Sequence, residues 1–132
     1  MALRVPEDII HEHRAMATII TLRAHGDGAR EAVDRAVARI DSLEEALSFF
    51  RPTSDVSRIN VAAGQALVEV EADTLAVLEQ AVACAHICGG AFDVTAGPLV
   101  RRWRKAAHEG RLPEPFELTD LCARVGYTGI LV

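Results

Sequence analysis

The chain has 132 residues and a formal net charge of −5; half of its residues are hydrophobic, a quarter charged and 5% aromatic. That balance suits one globular domain, here 1–132, with a core of Ala, Val, Leu and Ile. The acidic charge argues against a nucleic-acid binder, which needs a basic stripe to displace phosphate counterions. Three cysteines make an odd count, which is no disulfide framework and fits a reducing compartment. Met1 to Arg14 holds no apolar run of signal-peptide length, and nothing approaches a membrane span, so a cytoplasmic location is expected.

In chain order, Ala15 to Ala24 alternates Thr18, Ile20 and Leu22 against Ile19 and Thr21, which predicts a strand. Gly26-Asp27-Gly28 breaks it. From Arg30 to Phe50, Val33, Val37, Ile40, Leu43, Leu47 and Phe50 recur at spacings of three and four, opposite Arg35, Arg39, Asp41 and Glu45. This is an amphipathic helix stopped by Pro52. Ser54 to Asn60 reads as one or two short turns that Ser54 or Asp55 can cap. Ala66 to Val70 is a short strand candidate. Asp73 to Cys88 is a second amphipathic helix, with Leu75, Leu78, Val82 and Ala85 on one face and Gly89-Gly90 as a left-handed stop. Leu99 to Ala107 is helical, because Pro98 suits a first turn. Phe116 to Val125 is the third amphipathic helix, ended by Gly126, and Gly129 to Val132 begins an apolar strand. Strands and helices follow no regular βαβ rhythm, so the expected class is α+β, mixed sheet strands packed with three amphipathic helices.

The stretch Gly89 to Pro98 is the most unusual. Two glycines let backbone approach a ligand closely. Asp93 places an acceptor beside Phe92, and Thr95, Gly97 and Pro98 open a helix whose N-terminus favours anions. The plain alternative is a helix cap, a loop and a new helix. In Phe50 to Asn60, Arg58 could pair with phosphate or carboxylate; a capped turn whose Arg binds backbone carbonyls is the preferred reading. Arg101 to Lys105 could meet phosphate but reads better as the solvated end of a helix. Cys84 and Cys88, a helical turn apart with His86 on another face, read as buried structural thiols rather than a metal site. His11 and His13 read as part of a solvated N-terminal arm. No Walker loop, G-x-G-x-x-G or G-x-S-x-G occurs. No nucleophile and base pair by spacing, so no catalytic residue and no metal ligand is assigned.

Four stretches together resemble the ApbE family, the FAD:protein FMN transferases. They are Ala15-Met16-Ala17-Thr18; Phe49 to Asn60 (FFRPTSDVSRIN), similar to the family's YRPxSxLSRLN; Gly89 to Val100 (GGAFDVTAGPLV), similar to its GGAFDxTxGPLV; and Gly110 to Pro113 through Val125-Gly126-Tyr127. The resemblance implies the N-terminal portion of the ApbE-like fold. It also implies an enzyme that splits FAD with magnesium, attaches FMN through a phosphoester to a Thr or Ser of a target flavoprotein, and releases AMP. Phosphoryl transfer of this kind needs a metal to neutralise charge and a base for the hydroxyl. By motif, Met16 falls at a flavin-contacting position, Phe50 at one usually held by Tyr that bounds the isoalloxazine, and Ala91, Phe92 and Asp93 in the loop that holds FAD. Ala17 replaces a common Gly, Phe50 lacks the Tyr hydroxyl, and Trp103-Arg104-Lys105-Ala106 replaces the family's Trp-Gly-Phe-Gly. The family's second half, with its magnesium ligands, has no counterpart here. The chain is therefore expected to be a truncated transferase, with a non-catalytic flavin-binding or protein-interaction module as the alternative. Faces left without neighbours are expected to favour self-association or a second chain.

Overall fold

The structure, a computed structural model, describes residues 7–132. Two strands, β1 (Asp8–Ala15) and β2 (Thr18–His25), are followed by five helices. These are α1 (Ala29–Leu47), α2 (Asp55–Ala62), α3 (Ala72–Ile87), α4 (Gly97–Glu109) and α5 (Pro115–Cys122), with a short 3-10 turn at Tyr127–Gly129. The class is α+β, as expected. The described residues fall into two compact units, one ending at Thr74 and the other Leu75–Val132.

The first unit is built on a hairpin. β1 and β2 pair antiparallel in a two-stranded sheet, with Ile9 opposite Ala24, His11 opposite Leu22 and Ala15 opposite Thr18. The predicted strand from Ala15 is therefore two pieces of structure. Met16 and Ala17 form the two-residue loop, and the ladder resumes at Thr18. The solvated-arm reading of His11 and His13 is corrected at the same place, since both lie in β1. Two polar residues at positions 11 and 13 hid a period-two pattern that Ile9 and Ala15, both buried, complete. A lone hairpin is marginal in water and needs a packing partner. Here Ile9, Ala29 and Val33 form the core, with Leu22, Ala24 and Val37 packed against it, so α1 covers one face of the sheet.

Gly28, at φ 82°, precedes α1 in a left-handed conformation that a side chain would resist. The helix ends at Leu47, earlier than expected, because Ser48 turns extended while its N–H still reaches the Glu44 carbonyl. Phe50 consequently stands in a turn rather than on the helix. Ser54 caps α2, accepting a hydrogen bond from Ser57 N–H at 3.1 Å. Residues 66–70, predicted as a strand, pair with none among the described residues: Val68 and Val70 are half-buried and Leu67 is exposed. Alternating burial without a partner strand is extended chain, which the hydrophobic pattern alone does not distinguish from a ladder.

In the second unit α3 ends in a Schellman arrangement. Gly90 N–H bonds Ala85 O and Gly89 N–H bonds His86 O, with Gly89 at φ 60°. The same pattern closes α4 at Gly110. α4 and α5 are joined by an ion pair. Arg102, from the basic run, is held bidentately by Glu117 (Nε–Oε1 3.1 Å, Nη2–Oε2 2.7 Å). Glu117 also accepts Glu114 N–H at 2.9 Å in a capping box. Arg102 foremost, then the Glu114 amide, bring the Glu117 carboxyl down to about 2. Arg102 is thus bound into the fold instead of ending a solvated helix. Of residues 129–132, predicted as a strand, Gly129 closes the 3-10 turn and the rest form no ladder among the described residues.

Several large apolar side chains stay exposed, including Ile10, Ile19 and Leu67 in the first unit and Ile87, Phe116 and Leu131 in the second. No helix among the described residues is long and apolar enough to cross a membrane.

Candidate functional site

The first group of predicted residues stands on two turns of the first unit. Met16 and Ala17 have φ of 52° and 58°. Two successive positive φ values are the demand of a type I′ hairpin loop, which Asn and Gly meet most readily. Here neither residue is of that kind, so the turn is strained and must be held from outside. Glu44 of α1 supplies that hold, its Oε1 accepting Met16 N–H at 3.0 Å. Glu44 Oε2 also lies 3.7 Å from Nη2 of Arg51. The second turn runs from Ser48 to Ser54. It is closed by Ser54 Oγ donating to Ser48 O at 2.5 Å and by Phe50 N–H donating to Ser48 Oγ at 3.2 Å. Phe50 projects from it, 76% exposed, with Phe49 edge-to-face at 5.5 Å.

Beneath this turn the FFRPTSDVSRIN motif is consumed by internal bonds. Asp55 is buried and accepts from Arg58, from Glu71 N–H (2.8 Å) and from Thr74 Oγ1 (2.8 Å). Burial pushes its carboxyl up, but Arg58, the Glu71 amide and Thr74 outweigh that and hold it below the ordinary carboxylate value. Arg58 also donates to Glu69 O at 2.7 Å, the carbonyl-binding role expected of it. A hollow of about 280 Å³ nearby is lined by Arg51 and three carboxylates, Glu45, Asp55 and Glu71, with Ser42 and Thr53. That excess of negative charge does not suit a phosphate.

The second group, Ala91, Phe92 and Asp93, lies in the loop of the second unit between α3 and α4. Phe92 is 47% exposed, and its N–H donates to Cys88 Sγ at 3.2 Å. Asp93 faces inward. Its Oδ1 accepts Thr95 N–H (2.8 Å) and Thr95 Oγ1 (2.6 Å), and its Oδ2 accepts Tyr127 N–H (2.9 Å). Thr95 Oγ1 in turn accepts Gly126 N–H at 2.8 Å. Partial burial raises the Asp93 carboxyl, and Thr95 and the Tyr127 amide more than reverse it, so the group stays below its ordinary value and ionised. Tyr127 packs edge-on to His86 at 4.9 Å, and a Cβ on Gly90 would lie 3.6 Å from its ring. The loop is therefore sewn to residues 126–127, a link that spacing in sequence does not reveal.

Cys84 and Cys88 depart from expectation: they are free and exposed rather than buried, as is Cys122. α3 carries apolar residues around much of its circumference, and the face with Cys84 and Cys88 is left uncovered. Among the described residues no group of three or more His, Cys, Asp or Glu side chains is placed to hold a metal. Glu44, Gly126 and Tyr127 make contacts to the candidate residues that the sequence does not reveal. Glu44 sits in a run of α1 polar residues indistinguishable from a solvated face, and the other two contribute backbone amides, which carry no residue signature.

A family model described as the ApbE family matches residues 16–132. An FAD:protein FMN transferase of Treponema pallidum is 29% identical over 96 residues, which are 73% of this chain and 26% of that protein. One of Klebsiella pneumoniae is 29% identical over 110 residues, 83% of this chain and 33% of that protein. The chain thus spans about a quarter to a third of these curated relatives. The crystal structure of the ApbE protein of Thermotoga maritima has a TM-score of 0.83 and 24% identity, covering 95% of this chain and 41% of that one, which shows the fold. Because the matched stretch takes in the hairpin turn at Met16, the Ser54 cap and the Gly89–Pro98 loop alike, the chain belongs to the ApbE family.

Proposed function

We propose that residues 1–132 form one ApbE-like N-terminal region that holds FAD for an FAD:protein FMN transferase. Met16 and Phe50 bound the flavin ring, Ala91 and Phe92 form the crown of the holding loop, and Asp93 keeps that loop in shape while presenting its remaining acceptor positions to the nucleotide. The observation that carries this reading is the family match over residues 16–132. The geometry supports it, because the apolar side chains of Met16, Phe50 and Phe92 all remain substantially exposed on turns fixed by internal hydrogen bonds. Such pre-organised turns lower the ordering cost of binding. In the full reaction FMN passes to a Thr or Ser hydroxyl of a target flavoprotein and AMP leaves. The two aspartates of the motifs, Asp55 and Asp93, already serve internal donors.

Titration of FAD into the chain, followed by flavin fluorescence, tests the reading. Saturable binding that falls on Phe92→Ala and Met16→Ala supports it, and a flat titration overturns it. The same mixture with magnesium and a Thr-bearing target flavoprotein separates the two roles: covalent flavin on the target marks a transferase, and binding without transfer marks a holding module.

A further inference from the structure

Glu44 has two contacts that do nothing for the helix it sits on. Its Oε1 accepts the Met16 amide of the hairpin loop at 3.0 Å, and its Oε2 lies 3.7 Å from Nη2 of Arg51, the residue after Phe50. One carboxylate thereby joins two turns that are distant in sequence. The first of them needs a hold, since Met16 and Ala17 occupy the left-handed region at φ 52° and 58° without glycine's freedom. Its neighbour Glu45 offers a natural contrast. Glu45 also meets Arg51, through Nη1 at 3.7 Å, but its side chain is 72% exposed where that of Glu44 is 24% exposed. Of the two, only Glu44 bonds the hairpin loop.

We infer that Glu44 is a positioning residue for the flavin-facing pair, fixing the Met16–Ala17 turn and the Phe50–Arg51 turn in a single arrangement. The assignment rests on the reading that Met16 and Phe50 contact flavin. A charge-assisted hydrogen bond to a backbone amide is among the stronger ones a surface carboxylate makes. Its loss frees the loop to leave a conformation that alanine disfavours. An amide in place of the carboxylate still offers an oxygen to Met16 N–H, and a glycine at position 17 accepts the positive φ unaided.

The test compares the chain with Glu44→Ala, Glu44→Gln, Glu45→Ala and the double variant Glu44→Ala/Ala17→Gly. Two readouts are followed: the Met16 amide resonance with its hydrogen exchange, and the FAD dissociation constant by flavin fluorescence. Glu44→Ala should move the Met16 resonance upfield and raise both its exchange rate and the dissociation constant by about tenfold, the scale of one lost hydrogen bond to a charged group. Glu44→Gln should lose less, Glu45→Ala should change neither readout, and Ala17→Gly should recover FAD affinity in the Glu44→Ala background. An unmoved Met16 resonance in Glu44→Ala overturns the clamp. Equal loss of FAD affinity in Glu45→Ala, or no recovery with Ala17→Gly, overturns the positioning role in favour of general destabilisation. If the parent chain binds no FAD while the Met16 resonance responds as described, the flavin reading has failed and Glu44 is a clamp of the fold alone.

Discussion

Two aspartates, Asp55 and Asp93, solve the same problem in the two units with different means. Each takes a backbone amide from a segment far along the chain, Glu71 for one and Tyr127 for the other, and each takes a threonine hydroxyl, Thr74 or Thr95. Asp55 is buried and adds a guanidinium, that of Arg58. Asp93 is only half-buried and relies on neutral donors. The contrast shows what a cation is for at such a position. A carboxylate withdrawn from water needs charge compensation, whereas one at the surface of a loop is held adequately by dipoles. It also shows that a residue whose spacing suggests a ligand acceptor can be committed first to its own loop.

The largest effect is expected at Asp55. Asp55→Ala leaves the Glu71 amide, the buried Thr74 hydroxyl and Arg58 without their shared acceptor, which should cost about 3 kcal/mol. Urea unfolding would show it as a lower midpoint at unchanged slope. A loss under about 1 kcal/mol would mean that water replaces the carboxylate and that the burial is not decisive. The pH dependence has a definite sign. The Asp55 carboxyl lies below its ordinary value of 3.8 in the folded chain. Its stabilisation is therefore present above that value and is lost as pH falls through the lower folded value. Acid titration of Asp55→Asn should be flatter than that of the parent in this window.

A smaller loss is expected at Asp93. Asp93→Ala should cost about 1–2 kcal/mol, since two of its three bonds lie within the loop and the groups it releases can reach water. FAD affinity should fall further than stability does, because Ala91 and Phe92 precede the staple directly. The comparison is sharpest in the asparagine variants. Asp93→Asn meets no guanidinium and keeps an acceptor oxygen, so it should be milder than Asp55→Asn, which breaks an ion pair. Equal costs in the two asparagine variants would show that Arg58 contributes little.

How much of this was legible in the sequence follows from the kind of signal each element sends. α1 and α3 announce themselves by apolar spacing, and the Gly89 stop and the Ser54 cap by residue type, because side chain and conformation are tied at those places. β1 did not, because its inward row reads Ile9, His11, His13, Ala15 and two imidazoles interrupt the hydrophobic pattern. His13 is held there by Asp41 of α1 at 2.6 Å, a tertiary contact with no local mark. The extended segment at 66–70 failed in the opposite direction, its pattern correct and its partner strand absent among the described residues. At the candidate site, Met16, Phe50 and Phe92 were found through motif resemblance and Arg58 through its chemistry. The Glu44 hold and the Tyr127 amide were not, since each joins residues at least 28 apart in sequence.

The smallest effect separates how the two motifs are anchored at their helix ends. α2 begins on a side chain, the Ser54 hydroxyl, whereas α3 ends on a backbone conformation, Gly89 at φ 60°. A Cβ at Gly89 would meet nothing within 4 Å, so Gly89→Ala creates no clash and acts only through the left-handed strain. That strain is about 1 kcal/mol for alanine, partly offset by the lower entropy of the unfolded alanine chain. Stability should therefore drop by less than about 1 kcal/mol, with the Schellman bonds of Gly89 and Gly90 retained and the Phe92 resonances nearly unmoved. A larger drop, with displaced Phe92 resonances, would mean that the loop inherits its shape from the α3 terminus more than from the Asp93 staple, and the parallel between the two aspartates would then fail on that side.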